Sequence, residues 1–432
     1  MTRKMKDSGV EWIGMIPDGW SIKKLRYVVD SFEKGSGITK EEVFIDGDTP
    51  CVRYGEIYTK YNHIFKECIS RTKKDKLAVL SYFSNGDILF VGTGELVEEI
   101  GKNVVYLGEE KCLAGGDIIV AKHHENPVFL DYALNSQYVQ AQKSSGKTKL
   151  KVVHISAQEL KNLIVLLPPP KEQQQIADFL DAKCASIDDV IAKTNESVEE
   201  YKKLKQAMIT EAVTKGVRGN RSMKDSGIDW IGQIPYDWNL QRIKTLFDLR
   251  TELNFKPLEE VNLISLYTDK GVVQHADLEK TTGNKAMNAD GYKVVYENDI
   301  VVNIILCWMG AIGRSAYNGV TSPAYDVYCP KNGVESQFYH YYFRTAGFNG
   351  ECFTRGRGIM LMRWRTYSDQ FRDIRVVVPP LAEQKEIVKY LDSKCAAIDT
   401  LISKKLQFIN ELTAYKKSLI YEYVTGKKEV PA

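Results

Sequence analysis

No two of the eight cysteines form a C-x-x-C pair, so neither a zinc-ligand framework nor a disulfide scaffold is expected. Apolar runs long enough for a membrane helix, roughly 18 residues, are also missing. The first residues, Met1-Thr2-Arg3-Lys4, lead into polar sequence rather than an apolar core with a cleavage site. No leader peptide is expected and the chain is read as cytoplasmic. Charge of one sign is scarce as well: 59 Lys and Arg stand against 56 Asp and Glu, a net of +3. A nucleic-acid partner therefore has to be argued from where charges sit, not from their sum. There is no P-loop, no H-E-x-x-H and no G-x-S-x-G. What remains, 432 residues with 44% hydrophobic and 27% charged, is the composition of ordinary globular protein of two or three domains.

The chain repeats itself. Met5-Lys6-Asp7-Ser8-Gly9-Val10-Glu11-Trp12-Ile13-Gly14-Met15-Ile16-Pro17 returns as Met223-Lys224-Asp225-Ser226-Gly227-Ile228-Asp229-Trp230-Ile231-Gly232-Gln233-Ile234-Pro235, and the copies close on Trp20 and Trp238. Pro168-Pro169-Pro170-Lys171-Glu172-Gln173 likewise returns as Pro379-Pro380-Leu381-Ala382-Glu383-Gln384. A period of roughly 210 residues is too long for a solenoid and suits a duplicated domain plus connector. A pseudo-twofold molecule is expected.

Each Pro-Pro segment opens a long helix. From about Lys171 to Thr214 there is neither Pro nor Gly. Apolar or small residues recur in steps of three and four at Leu180, Cys184, Ile187, Ile191, Thr194, Val198, Tyr201, Leu204, Met208 and Ala212, a coiled-coil seam. An offset of 211 carries them to Leu391, Cys395, Ile398, Ile402, Lys405, Ile409, Leu412, Tyr415, Leu419 and Tyr423. Two seams of equal length, each ~65 Å at 1.5 Å per residue, are expected to pair antiparallel. Thr194 and Lys405 then either meet as a polar layer that fixes register, or Lys405 reaches outward to solvent. Cys184 and Cys395 are expected as buried thiols ~27 Å apart along the axis, not as a disulfide.

The expected organisation is a domain over 1–165, a helical connector over 166–216, a second domain over 217–377 and a second connector over 378–426. The two domains align at an offset of 212, Asp87-Ile88 on Asp299-Ile300 and Ile100-Gly101 on Ile312-Gly313. Runs such as Ile88-Leu89-Phe90-Val91 and Ile300-Val301-Val302, mixed with helix-like segments at Phe129 to Tyr138 and Gln337 to Arg344, predict α+β domains. Their shared Trp, Ile-Pro and Gly positions are read as scaffold that pins the N-terminal segment to its domain. The loops differ. Cys51-Val52-Arg53-Tyr54-Gly55-Glu56 faces the dissimilar Leu263 to Thr268. Lys143-Ser144-Ser145-Gly146-Lys147-Thr148-Lys149-Leu150-Lys151 faces Arg355-Gly356-Arg357-Gly358-Ile359-Met360-Leu361-Met362-Arg363, and both lack any acid. Basic loops at equivalent places in both halves suit phosphate neutralisation and base-edge contact. The candidate DNA-binding residues are Arg53, Tyr54, Lys143, Ser145, Lys147, Thr148, Lys149, Lys151, Arg355, Arg357, Arg363 and Arg365.

Along essentially its whole length the chain resembles the DNA specificity subunit of type I restriction-modification systems. The resemblance rests on W-I-G-x-I-P (Trp12 to Pro17, Trp230 to Pro235), on P-P-x-x-E-Q heading each long helix, and on the duplication. It implies two target recognition domains held apart by two helices, each reading part of a bipartite DNA sequence through the major groove. It also implies docking of two modification subunits that bind S-adenosylmethionine and methylate adenine, and of restriction subunits that use ATP and Mg. The chain itself would bind no cofactor and no metal and would not be an enzyme. Domains on a rigid spacer would touch DNA at least about one helical turn, ~34 Å, apart. Because the reading loops differ, an asymmetric target is expected.

Two rival readings are weighed. Phe90-Val91-Gly92-Thr93-Gly94 fits the F-x-G-x-G of methyltransferases and Asn126-Pro127-Val128-Phe129 approaches their N-P-P-F. However, Val128 replaces the second Pro, and the matching stretch Val302 to Leu306 lacks the glycines. The other rival is an orphan specificity-like scaffold without a DNA target, which the acid-free basic loops argue against.

Overall fold

The computed structural model describes residues 3–148, 152–275, 288–360 and 364–431. It divides into two compact units, Met1–Asn195 with Gln407–Ala432, and Glu196–Leu406. The division falls inside the long helices, so each unit holds one mixed α/β domain and part of both helices.

In the first unit a five-stranded sheet runs in the order Val29–Lys34, Ile118–His123, Ile88–Val91, Asn103–Tyr106, Ile64–Phe65, antiparallel except for the last pair. Ile88-Leu89-Phe90-Val91 is apolar throughout because both faces of the strand are covered. Ile88 and Phe90 join Phe129, Leu130 and Leu134 of the helix Pro127–Asn135 in one core. Leu89 and Val91 join Val52, Phe83 and Tyr106 in another. A four-stranded sheet, ordered Ser70–Thr72, Thr49–Val52, Cys112–Ala114, Tyr82–Phe83, contributes to that second core.

The second unit repeats the plan with a smaller outer layer. Its four-stranded antiparallel sheet runs Phe247–Leu249, Tyr325–Pro330, Ile300–Asn303, Ile312–Arg314. Ile300 and Val302 face one core, Val301 the other. Among the described residues, two short antiparallel pairs stand where the first domain has its second sheet: Ile264–Tyr267 with Gly271–Gln274, and Lys293–Val295 with Gly319–Thr321. The helix expected over Phe129 to Tyr138 is two helices, Pro127–Asn135 and Gln137–Ser144, because Ser136 takes an extended ψ of 157° that ends one and caps the other. The second domain makes the same break at Thr345, between Ser336–Phe343 and Ala346–Arg355.

Each repeated N-terminal motif is a hairpin, Met5–Asp7 on Met15–Pro17 and Met223–Asp225 on Gln233–Pro235. Gly9 and Gly227 stand in its turn with φ of 69° and 68°, a left-handed backbone that explains the glycine in both copies. Strand Ser21–Lys24 then pairs with Ile164–Leu167, and Asn239–Arg242 with Arg375–Val378. The start and end of each domain are thereby joined where its long helix begins.

Those helices are Pro170–Lys215 and Leu381–Val424. In the first unit Asp188 meets Lys416 at 2.6 Å and Phe179 packs on Tyr423 at 4.5 Å. In the second, Lys205 meets Asp399 at 2.7 Å. The early part of one helix thus lies beside the late part of the other, an antiparallel pair in each unit. Of the expected seam, Leu180, Ile187, Val198, Leu391 and Ile398 are buried, and Ile191, Thr194, Ile402, Lys405 and Ile409 half-buried. Leu204 and Tyr415 are not seam residues: they are 55% and 56% exposed. Strict alternation of four and three carries the seam instead to Lys205 and Lys416, the two lysines of the interhelical ion pairs. Both side chains are largely buried, and each ammonium finds a carboxylate on the facing helix. The Thr194 hydroxyl donates to the Val190 carbonyl, and the Lys405 ammonium lies over the Tyr201 ring. Cys184 and Cys395 are buried free thiols. Among the described residues no helix is long and apolar enough to cross a membrane, and no His, Cys, Asp and Glu cluster could hold a metal.

Candidate nucleic-acid interface

The shared motifs build the frame that carries the loops. Glu172 accepts from the indole N–H of Trp20 at 3.0 Å, and Glu383 from that of Trp238 at 3.0 Å. Each carboxylate also receives an arginine, Arg3 on Glu172 and Arg221 on Glu383, and each guanidinium lies over the same tryptophan. The next residue in each motif, Gln173 or Gln384, is buried and closes a second tie. Its carbonyl accepts from the backbone N–H of Asn126 or Glu335, and its amide donates to Pro168 or Pro379. W-I-G-x-I-P and P-P-x-x-E-Q are thus two sides of one clasp between a domain and the start of its helix. Trp12 and Trp230 contribute less: Trp12 is half exposed beside Tyr138, and Trp230 packs on Tyr342. Arg3 and Arg221 were missed in the sequence reading, although their separation equals that of the repeated tryptophans.

In the first domain Arg53 caps the helix Tyr54–Thr59. Its guanidinium donates to Glu56 through Nε at 3.2 Å and Nη2 at 2.9 Å. The hydroxyl of Ser70 donates to the same carboxylate at 2.5 Å. A buried acid thus holds the arginine at the wall of a groove of about 1020 Å³, which Tyr54, Lys34, Lys40 and Lys60 also line. These three lysines come from separate segments and carry no shared sequence signal. Tyr54 is exposed beside Arg53. An aromatic face and cations around an open groove suit stacking and phosphate contact.

The first basic loop is less free than its composition implies. Lys143 is a core residue, 1% exposed. Its ammonium donates to the Gly101 carbonyl at 2.7 Å and to Asn103 Oδ1 at 2.9 Å, and Asn103 donates to buried Asp131. As placed it cannot reach a phosphate, so its expected DNA contact is replaced by an anchoring role at the start of the loop. Lys147 folds back, donating to the His154 carbonyl and to Glu159. Ser145 and Thr148 are exposed. Lys149 and Lys151 lie outside the described residues.

Burial pushes the Lys143 ammonium down to about 7 from 10.5. The unfolded chain keeps this proton up to about pH 10.5 while the folded chain sheds it near pH 7, so stability rises with pH across that window. The cost of burying the charge is fully present below it. Wild-type stability is expected to gain on the order of 2 kcal/mol between pH 7 and pH 9 relative to Lys143→Met. Urea unfolding of both proteins at the two pH values measures this; equal slopes would remove the buried charge from the account.

The second basic loop is closed at its base by described residues. Arg357 and Arg365 exchange both backbone hydrogen bonds at 2.9 and 3.0 Å. Trp364 stacks on Phe353 with its N–H on the Phe353 carbonyl. Arg355 pairs with Glu351 at 3.3 Å, and Arg357 lies over Tyr367 with Asp369 at 3.9 Å. Arg363 lies outside the described residues. Arg355, Arg357 and Arg365 are brought together here, whereas Arg53 and Tyr54 belong to the groove in the other unit.

Comparison with known proteins identifies the family. The profile of the type I restriction modification DNA specificity domain matches residues 17–200 and 235–411. The chain is 28% identical to the protein assigned as the MjaX type I restriction enzyme specificity subunit of Methanocaldococcus jannaschii, over 97% of this chain and 96% of that one. It is 24% identical to the MjaVIII specificity subunit of the same organism, over 96% and 94%. A solved chain from work on complex assembly and conformational transition of the type I R-M system shares the fold with a TM-score of 0.71 at 15% identity, covering 96% of this chain and 99% of that one. The HsdS subunit of Thermoanaerobacter tengcongensis does so with a TM-score of 0.51 at 15% identity, over 96% and 98%. With both copies of the domain matched, each on a clasped frame with its own loops, the chain belongs to the type I restriction-modification DNA specificity family.

Proposed function

We propose that the domains over 1–165 and 217–377 each read one half of a bipartite, asymmetric DNA target, and that the connectors over 166–216 and 378–426 dock the modification and restriction subunits. The observation that carries this reading is the contrast within the duplication. The clasp residues repeat one for one, while the Arg53 groove and the basic loops do not. A frame kept the same with loops made different is what two readers of two sequences require. Arg53, Tyr54, Ser145, Thr148, Arg355, Arg357 and Arg365 are the proposed contacts, with Lys149, Lys151 and Arg363 added from the sequence. Lys34, Lys40 and Lys60 join them by position in the groove. Chemistry belongs to the partners in this reading: S-adenosylmethionine to the modification subunits, ATP and Mg to the restriction subunits. The complex would work in the cytoplasm.

Single-molecule sequencing of adenine methylation tests it, in cells expressing the chain with and without its candidate modification subunit. A bipartite, asymmetric motif is expected only when both are present. Methylation with this chain alone would make it an enzyme. None with either would leave an orphan scaffold.

A further inference from the structure

Arg53 and Glu56 form a pair whose geometry a phosphate contact does not need. Glu56 is buried. Its carboxylate accepts from the Arg53 backbone N–H at 3.0 Å, from Arg53 Nε at 3.2 Å and Nη2 at 2.9 Å, and from the Ser70 hydroxyl at 2.5 Å. The guanidinium plane is thereby fixed along one edge. Nη1 and the second N–H of Nη2 have no partner among the described residues, and in a planar fork they make the adjoining edge, turned away from the carboxylate. Arg53 keeps 29% of its side-chain surface exposed and lines the groove of about 1020 Å³. So close to a carboxylate, the guanidinium has little net charge to offer a phosphate. Lys34, Lys40 and Lys60 on the same groove are exposed and make no ion pair among the described residues. These lysines suit phosphates, which need charge more than orientation. The fixed fork suits a planar pair of acceptors, where orientation decides.

We propose that Arg53, held by Glu56, reads a guanine in the half-site of the first domain by donating from this edge to its O6 and N7. The proposal rests on the specificity reading above and names one base that the first domain selects. In the major groove guanine alone of the four bases presents two adjacent acceptors, and a bidentate arginine there discriminates against the other bases by roughly five- to 150-fold. Glu56 is then a positioning residue that touches no base. The stretch opposite Arg53 in the second domain, Leu263 to Thr268, has no arginine, so the second half-site is not read from this place.

The test uses the complex of the full chain with its modification subunit and duplexes carrying the methylated motif. Binding is measured by fluorescence anisotropy from roughly 50 to 200 mM salt. Each guanine of both half-sites is replaced in turn by 7-deazaguanine, which loses the N7 acceptor and keeps its base pairing. Wild type is expected to bind roughly three- to tenfold more weakly for each guanine read through N7. Arg53→Met is expected to abolish that penalty at one guanine of one half-site, to accept all four base pairs there, and to leave the salt dependence as it was. Lys60→Met is expected to do the reverse: weaker binding to every sequence, a salt slope shallower by about one, and the guanine penalty kept. Glu56→Gln leaves the guanidinium its full charge without its alignment, so the salt slope should steepen while the penalty at the same guanine shrinks. An unchanged penalty in that variant overturns the positioning role. The proposal as a whole is overturned if no guanine carries a penalty in wild type. It is also overturned if Arg53→Met weakens all sequences alike and flattens the salt slope, the behaviour of a phosphate contact. Failure of the specificity reading itself shows separately, as a wild-type complex without any sequence preference, and takes this proposal with it.

Discussion

Glu383→Ala is expected to lower the stability of the second unit by about 3 kcal/mol, a large part of what a domain of this size has. The carboxylate is buried and serves two donors at once, the Trp238 indole and the Arg221 guanidinium. Removing it leaves the N–H of a fully buried tryptophan without its acceptor, and leaves Arg221 with only Asp237 among its named acidic partners. Glu383→Gln keeps one acceptor and loses the charge, so it should fall between wild type and Ala. The equivalent Glu172→Ala should cost less, because Glu172 and Arg3 keep 23% and 21% of their side-chain surface in water. Urea unfolding followed by tryptophan fluorescence ranks the variants. If Glu383→Ala matched wild type within 0.5 kcal/mol, roughly the level of an ordinary surface substitution, the clasp would not be an anchor.

The duplication, the α+β character of each half and the two long helices were legible because they rest on patterns that local physics enforces: repeated words, alternation of two, and a stretch free of Pro and Gly. Register was less legible. Leu204 looked like a seam residue because it is apolar, yet Lys205 holds the position, since its carboxylate partner Asp399 lies far away in sequence. The break at Ser136 escaped because neither Pro nor Gly marks it; tertiary packing of the two short helices decides it. Lys143 was misplaced for the same reason as Lys205. Charge suggested surface, but its acceptors Gly101 and Asn103 come from a distant strand region. Lys34, Lys40 and Lys60 meet only through folding. By contrast Arg3 and Arg221 could have been found, because they repeat at the same spacing as Trp20 and Trp238, and a charge that repeats with a scaffold residue is itself scaffold.

A chain in which residues 21–167 are replaced by a second copy of 239–378 is expected to fold and to methylate, with its partner, a target containing the second domain's half-site twice and the first domain's not at all. The junctions permit the exchange. Each domain begins and ends on the same antiparallel strand pair, Ser21–Lys24 with Ile164–Leu167 and Asn239–Arg242 with Arg375–Val378. Each is also held to its helix by residues that lie largely outside the exchanged segment: Arg3, Trp20 and Glu172 in one half, Arg221, Trp238 and Glu383 in the other. Contacts from inside the segment fall at matching places: the hydroxyl of Tyr132 donates to Asp181 and that of Tyr341 to Asp392, the amide of Gln173 donates to Glu125 and that of Gln384 to the Gly333 carbonyl, and the backbone N–H that meets Gln173 or Gln384 is made by Asn126 in one domain and Glu335 in the other. A main-chain donor survives a change of side chain, so the incoming domain should satisfy it. If recognition lives in the loops each domain carries, the change of target is complete rather than graded: every site of the old motif loses methylation and a new family of sites gains it. Adenine-methylation sequencing reads that directly. Retention of the original motif by the exchanged chain would mean that the helices or the partner subunits, and not these domains, choose the sequence.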